Sequence, residues 1–191
     1  MSLLSYVELI ELVKSGVIDA PEKNINPASV EVTVGNRFYI EKPAPWIIKR
    51  DTLAIDLVTD LSKKQNISLE LIELEDDEVF VLKPGQVCLA ETVEQFNLPN
   101  DIVSEFSLKS SQARNFWSHE LAGYCDPGWH GSKLTMEYKN SSQHGYLAIT
   151  PGQKGGQMKF VRVTEVPEDK SYAVVGQYNK QTKVQQSKGI E

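Results

Sequence analysis

Residues 78–107, EVFVLKPGQVCLAETVEQFNLPNDIVSEFS, read as three short β runs cut by two turns. Glu78–Leu82, Val87–Val93 and Ile102–Ser107 are rich in Val, Ile, Phe and Thr, the residues that suit a pleated, half-buried surface. Pro84-Gly85 and Pro99-Asn100 separate them: proline fixes φ and lacks a donor, while glycine or asparagine takes the backbone shapes a tight turn needs. The same rhythm continues on both sides. After Pro27, Val30, Val32 and Val34 alternate with Glu31 and Thr33 until Gly35-Asn36, which predicts a strand and then a turn. Further runs follow at Arg37–Ile40, Ile67–Leu74, Ser132–Lys139, Gly145–Ile149 and Gln157–Thr164, with Pro127-Gly128 and Pro151-Gly152 as boundaries. Many short strands at regular spacing predict an all-β sandwich or barrel.

Two segments break the pattern. Ser5 to Glu8 forms a capping-box sequence, and Tyr6, Leu9, Ile10 and Val13 recur at helical spacing before Gly16, predicting a short N-terminal helix. Ser110 to Asn115 predicts one short internal helix, and a single helical turn inside a barrel usually presents side chains. The acidic cluster Glu73, Glu75, Asp76, Asp77 and Glu78 reads as a solvated hairpin connection. Beyond Lys170 the chain turns polar and glutamine-rich, the composition of a disordered terminus, although its repeated tyrosines suit a segment that orders over a ligand.

Composition sets bounds. A chain of 191 residues that is 40% hydrophobic can bury one sizeable core. A formal net charge of -6 argues against nucleic-acid and anionic-membrane binding. Cys88 and Cys125 lie in apolar runs without metal spacing and read as reduced core thiols. The N-terminus has no basic leader pattern, and no apolar run approaches the roughly 18 residues that span a bilayer, so a cytoplasmic location is expected.

Chemistry concentrates in residues 107–140. Ser110, Ser111 and Arg114 offer two hydroxyls and a fixed positive fork within one helical turn. Glu137 stands among Leu134, Met136 and Tyr138, where a carboxylate would be partly desolvated and suited to acid/base work, although alone it also reads as an outward-facing strand residue. His119, His130 and His144 have no partnering cysteine pair and Cys125 stands alone, which disfavours a zinc mechanism. No phosphate-binding G-x-x-x-x-G-K-[ST] loop and no G-x-S-x-G elbow occurs.

Taken in order, the pieces Ile25–Val32 with Gly35-Asn36, Leu82–Gly85, Lys109–Arg114, Asp126–Trp129, Leu134–Glu137, Pro151-Gly152, Gly156-Gln157 and Gln177-Tyr178 with Gln181 resemble the dCTP deaminases of the dUTPase-like family. The resemblance implies a distorted jelly-roll β-barrel over residues 1–170, with residues 171–191 as a tail closing over the nucleotide phosphates. It implies a homotrimer with active sites at subunit interfaces and hydrolytic deamination of dCTP to dUTP and ammonia. Magnesium would be bound through the substrate phosphates, without zinc. Glu137 would activate the water, Ser110 and the carbonyl of Ala122 would hold it, and Arg114 would fix the glutamate and stabilise charge. Lys109 and Ser111 match phosphate contacts, and Asp126 would accept the 3′-hydroxyl. The hairpin that includes Tyr124 and Trp129 would read the pyrimidine edge. Gln157 matches a substrate-binding position, and Tyr172, Gln177, Tyr178 and Gln181 match the tail. Lys109 stands where an arginine is usual and Gln177 where a lysine is usual. Between Trp129 and Glu137 the chain is one residue longer than the family pattern, and between Arg114 and Asp126 one shorter. A dUTPase, a bifunctional enzyme releasing pyrophosphate and a catalytically silent nucleotide-binding module remain the alternatives.

Overall fold

The computed structural model describes residues 2–42 and 67–188. In chain order it runs β1 (Ser2–Leu3), α1 (Tyr6–Lys14), β2 (Ile18–Asp19), β3 (Ile25–Asn26), β4 (Ser29–Glu41), β5 (Leu69–Glu73), β6 (Phe80–Leu82), β7 (Val87–Thr92), β8 (Gln95–Asn97) and β9 (Ile102–Ser107). After β9 come α2 (Ser110–Arg114), β10 (Trp117–His119), β11 (Tyr124–Cys125), β12 (His130–Ser132), β13 (Thr135–Asn140), β14 (Leu147–Ile149), β15 (Lys154–Arg162) and α3 (Tyr172–Val175). The α1 start carries the expected cap, with the Ser5 N–H donating to the Glu8 carboxylate at 2.9 Å, and Leu9 fully buried below it.

The strands make a curled antiparallel sheet in the order β10-β13-β7-β4-β15-β9-β11, with β1 on β15 and with β3 and β5 on β4. Small sheets β12-β8-β2 and β14-β6 complete the distorted jelly-roll barrel. Strand β4 holds the two halves together. Its first half pairs with β15, from Val30 opposite Met158 to Thr33 opposite Lys154, and its second half pairs with β7 and β5. Gly35-Asn36 is therefore not the predicted turn: the strand continues through it, with a register shift between Val34 and Phe38 that bends the sheet. The glycine is needed for room, because a Cβ there would lie 2.7 Å from the Glu91 side chain.

Val30, Val32, Val34, Phe38, Met136, Tyr138 and Phe160 fill the interior. Phe38 stacks on Phe80 with ring centroids 4.6 Å apart, and Trp117 meets the Tyr138 ring edge-on at 5.3 Å. Both cysteines are free and buried, and burial pushes each thiol up to about 12. The acidic stretch after β5 is a correction to the expected hairpin: β5 pairs with β4 while β6 pairs with β14, so these exposed carboxylates cross between two sheets. The predicted strand Ser132–Lys139 is split, since β12 joins β8 and β13 joins β7. A register irregularity falls between His130 and Ser132, where Gly131 has φ +62. A bulge of this kind is the local device that accommodates one extra residue in a strand. Among the described residues no helix is long and apolar enough to cross a membrane.

Candidate active site

Strand β13 alternates as a two-sided strand must: Met136, Tyr138 and Asn140 are buried in the core, while Thr135, Glu137 and Lys139 take the other face. Cross-strand register sets the neighbours of Glu137. Leu89 lies opposite it on β7, Tyr39 opposite Leu89 on β4, and Leu71 opposite Tyr39 on β5. Partners in register share a face, so the carboxylate ends a row of apolar and aromatic side chains. Burial accordingly pushes Glu137 up to about 6, its own backbone N–H opposes the rise, and repulsion from Glu120 adds to it.

Glu137 lines a cavity of about 800 Å³. Leu89 and Tyr39 lie along the sheet side; Ala122, Tyr124, Asp126 and Trp129 come from the loop and hairpin before β13. The remaining wall is the tail: Tyr172, Tyr178, Gln181, Gln185 and Gln186. The tail is folded onto its own chain. The Trp129 indole N–H donates to the Tyr178 carbonyl at 3.0 Å, the Lys133 N–H donates to the Gln181 carbonyl at 2.7 Å, and the Gln181 amide donates to the Lys133 carbonyl and to Thr135 Oγ1 at 2.8 and 2.9 Å. The composition of a disordered terminus gives way here because Gln181 and Val184 are both 4% exposed and their polar groups find partners.

The fold thus brings together Glu137, Ala122, Tyr124, Asp126, Trp129, Tyr172, Tyr178 and Gln181, residues spread over some sixty positions of sequence. It places the others elsewhere. Ser110, Ser111 and Arg114 are exposed on α2 and do not line the cavity. Lys109 and Lys154 both pair with the buried Glu31 carboxylate, and Gln157 accepts from Ser29 Oγ at 3.1 Å, so these groups form a second polar cluster around α2. Gln177 is exposed, its carbonyl accepting from the Lys188 ammonium. Within one chain, therefore, the guanidinium and hydroxyl expected to brace Glu137 stand apart from it. Thr135, Gln185 and Gln186 were not anticipated; for Thr135 the two-residue period counted back from Glu137 would have found it, whereas nothing in a polar tail marks which glutamines face inward.

Chemically, the cavity offers a partly desolvated carboxylate able to exchange a proton near neutral pH, alongside three further carboxylates, Glu41, Glu120 and Asp126, and several aromatic rings. Among the described residues no three His, Cys, Asp or Glu side chains gather into a metal-binding group.

A dCTP deaminase-like family model matches residues 3–163. The dUMP-forming dCTP deaminase of Dictyoglomus turgidum is 34% identical over 160 residues, covering 83% of this chain and 77% of that one. The dCTP deaminase of Photorhabdus laumondii is 35% identical over 150 residues, covering 73% and 71%. Among solved structures, the 2′-deoxycytidine 5′-triphosphate deaminase of Agrobacterium tumefaciens superposes with a TM-score of 0.61 at 18% identity, and the match covers 83% of this chain but 47% of that longer one. With a family model spanning most of its length and relatives above 30% identity across both sequences, the chain belongs to the dCTP deaminase-like family.

Proposed function

We propose that the protein hydrolyses dCTP to dUTP and ammonia. The observation that carries this reading is Glu137, pushed up to about 6 by burial in a cavity walled by the hairpin and tail, in a chain of this family. Glu137 takes a proton from a water whose oxygen bonds to C4 of the cytosine. The same proton then passes to the exocyclic nitrogen, the remaining proton of the new C4 hydroxyl ends on N3, the bond from C4 to the amino nitrogen breaks, ammonia departs and the C4 carbonyl of uracil is left. The Ala122 carbonyl, on the same cavity, and Ser110 hold the water. Arg114 stabilises charge at the reacting centre. Tyr124, Trp129 and the hairpin backbone read the base, Asp126 takes the 3′-hydroxyl, and Lys109, Ser111 and Gln157 lie on the phosphate side.

This reading needs more than one subunit. Ser110, Ser111 and Arg114 are exposed on α2, away from Glu137, so a homotrimer in which α2 of one subunit meets the Asp126–Glu137 hairpin of its neighbour would complete three sites. The tail, residues 171–191, closes over the phosphates through Tyr172, Gln177, Tyr178 and Gln181. Magnesium would arrive with the substrate phosphates and screen their charge, with Lys109 and Ser111 as the chain's own groups on that side. The reaction belongs with the cytoplasmic nucleotide pool.

A second reading is favoured by Asp126, which shares the cavity with Glu137, and by relatives described as dUMP-forming. Deamination followed by hydrolysis of the α–β phosphate linkage would give dUMP, ammonia and pyrophosphate. Product analysis with dCTP, dCMP and dUTP as separate substrates decides: ammonia with dUTP supports deamination alone, ammonia with dUMP and pyrophosphate supports both steps, and pyrophosphate from dUTP without ammonia from dCTP overturns the deaminase assignment.

A further inference from the structure

The strand VCLAET that ends at Thr92 carries one charged side chain, Glu91, and it is 1% exposed. A buried carboxylate is costly unless charged and hydrogen-bonding partners meet it, and three groups meet this one. Arg37 Nη1 lies 3.3 Å from Oε1 and Lys133 Nζ 3.9 Å from it. The backbone N–H of Val184 donates to Oε2 at 2.6 Å. Gly35 supplies the room: the bulge in β4 passes so close that any Cβ there would strike the Glu91 side chain. The arrangement spans four distant parts of the sequence, the last of them in the tail.

Its position explains what it does. Glu91 lies opposite Thr135 in register, one step along β7 and β13 from the Leu89–Glu137 pair. Thr135 Oγ1 accepts from the N–H of the next tail residue, Gln185, at 3.2 Å and from the Gln181 side-chain amide at 2.9 Å. Gln181, Gln185 and Gln186, which flank the Val184 contact, line the cavity around Glu137. Val184 itself is buried, so the tail is pinned at its backbone while its glutamines face the cavity.

We infer that Glu91 is a positioning residue that fastens the C-terminal tail as a wall of the active-site cavity. Its two cations hold the carboxylate in place and the Val184 N–H is what it grips. The role in turnover rests on the deaminase reading; the grip itself does not.

Lys180 lies four residues before the gripped nitrogen, so a lysine-directed protease cutting the Lys180–Gln181 bond, which a proline at position 184 leaves cleavable, reads the latch without substrate. In E91Q, which keeps the volume, and in V184P, which removes the donor without touching the barrel, cleavage there should accelerate about tenfold or more, the scale of one hydrogen bond to a charged group. The double variant should be no faster than the faster single, because both remove one contact. With dCTP, E91Q should raise KM, and in a chain ending at Lys170 the same substitution should leave kinetics unchanged. Cleavage of E91Q at the wild-type rate, multiplicative effects in the double variant, or an equal kinetic loss in the truncated chain would each overturn the inference. If the wild-type protein does not turn over dCTP, the functional reading fails while the protease comparison still decides the latch.

Discussion

Glu137 has to be ionised to act as a base, and its surroundings oppose ionisation. Its folded pKa of about 6 lies above the ordinary 4.5, so the fold holds the proton more tightly than the unfolded chain does. Stability from the protonated form is present in full below pH 4.5 and is lost as pH rises through about 6. Glu137→Gln is permanently neutral and should melt at a higher temperature than the wild type above pH 6, with the difference vanishing below pH 4.5. The same variant should lose about 10²-fold or more in kcat while still binding dCTP. In the wild type, kcat/KM should fall about tenfold per pH unit on the acid side of the Glu137 pKa, where an ordinary carboxylate would not yet titrate. A pH profile flat down to pH 4.5 would show that another group is the base. Glu137 was legible from sequence because the alternation Leu134, Met136, Tyr138 placed it on the far face, and the family order gave that face a use. Glu91 was not: nothing local to VCLAET reveals that a tail residue ninety-three positions later supplies its hydrogen bond.

At the level of elements, the strands were legible and their partnerships were not. Periodicity located β7, β9, β13 and β15 within a few residues, since each buries one face of an alternating run. It misread Gly35-Asn36, because a glycine that makes space for a neighbour and a glycine that turns a chain look alike in one dimension. Short strands such as β8, β11 and β12 were missed because two or three residues carry no period, and only pairing defines them. The tail is the element whose removal is most informative. Ending the chain at Lys170 strips the cavity of Tyr172, Tyr178 and its glutamine wall, so KM should rise and kcat should fall together in steady-state assays. The barrel should keep its secondary structure by circular dichroism, because the core clusters on β4, β7, β9, β13 and β15.

For the whole molecule, the separation of α2 from the cavity would, on the proposed reading, make assembly part of the chemistry. Glu137→Gln and Arg114→Ala should each be inactive as pure proteins. Subunits of the two, unfolded together in equal amounts and refolded, should regain about a quarter of the wild-type sites, the fraction of interfaces pairing an intact arginine with an intact glutamate. Failure of the mixture to recover would place both residues in the same subunit's site or remove one from catalysis. The net charge of -6 suits the proposed reading, under which a triphosphate would be met by a few local cations, Lys109 among them, and not by a basic surface.

The indole of Trp129 touches the cavity and donates to the Tyr178 carbonyl, so the chain carries its own optical gauge. When the tail lifts, that ring exchanges a protein acceptor for solvent and its emission should shift to the red. A stopped-flow trace on unlabelled protein would then clock lid motion separately from ammonia release, and Trp129→Phe would identify which part of the signal is the gauge.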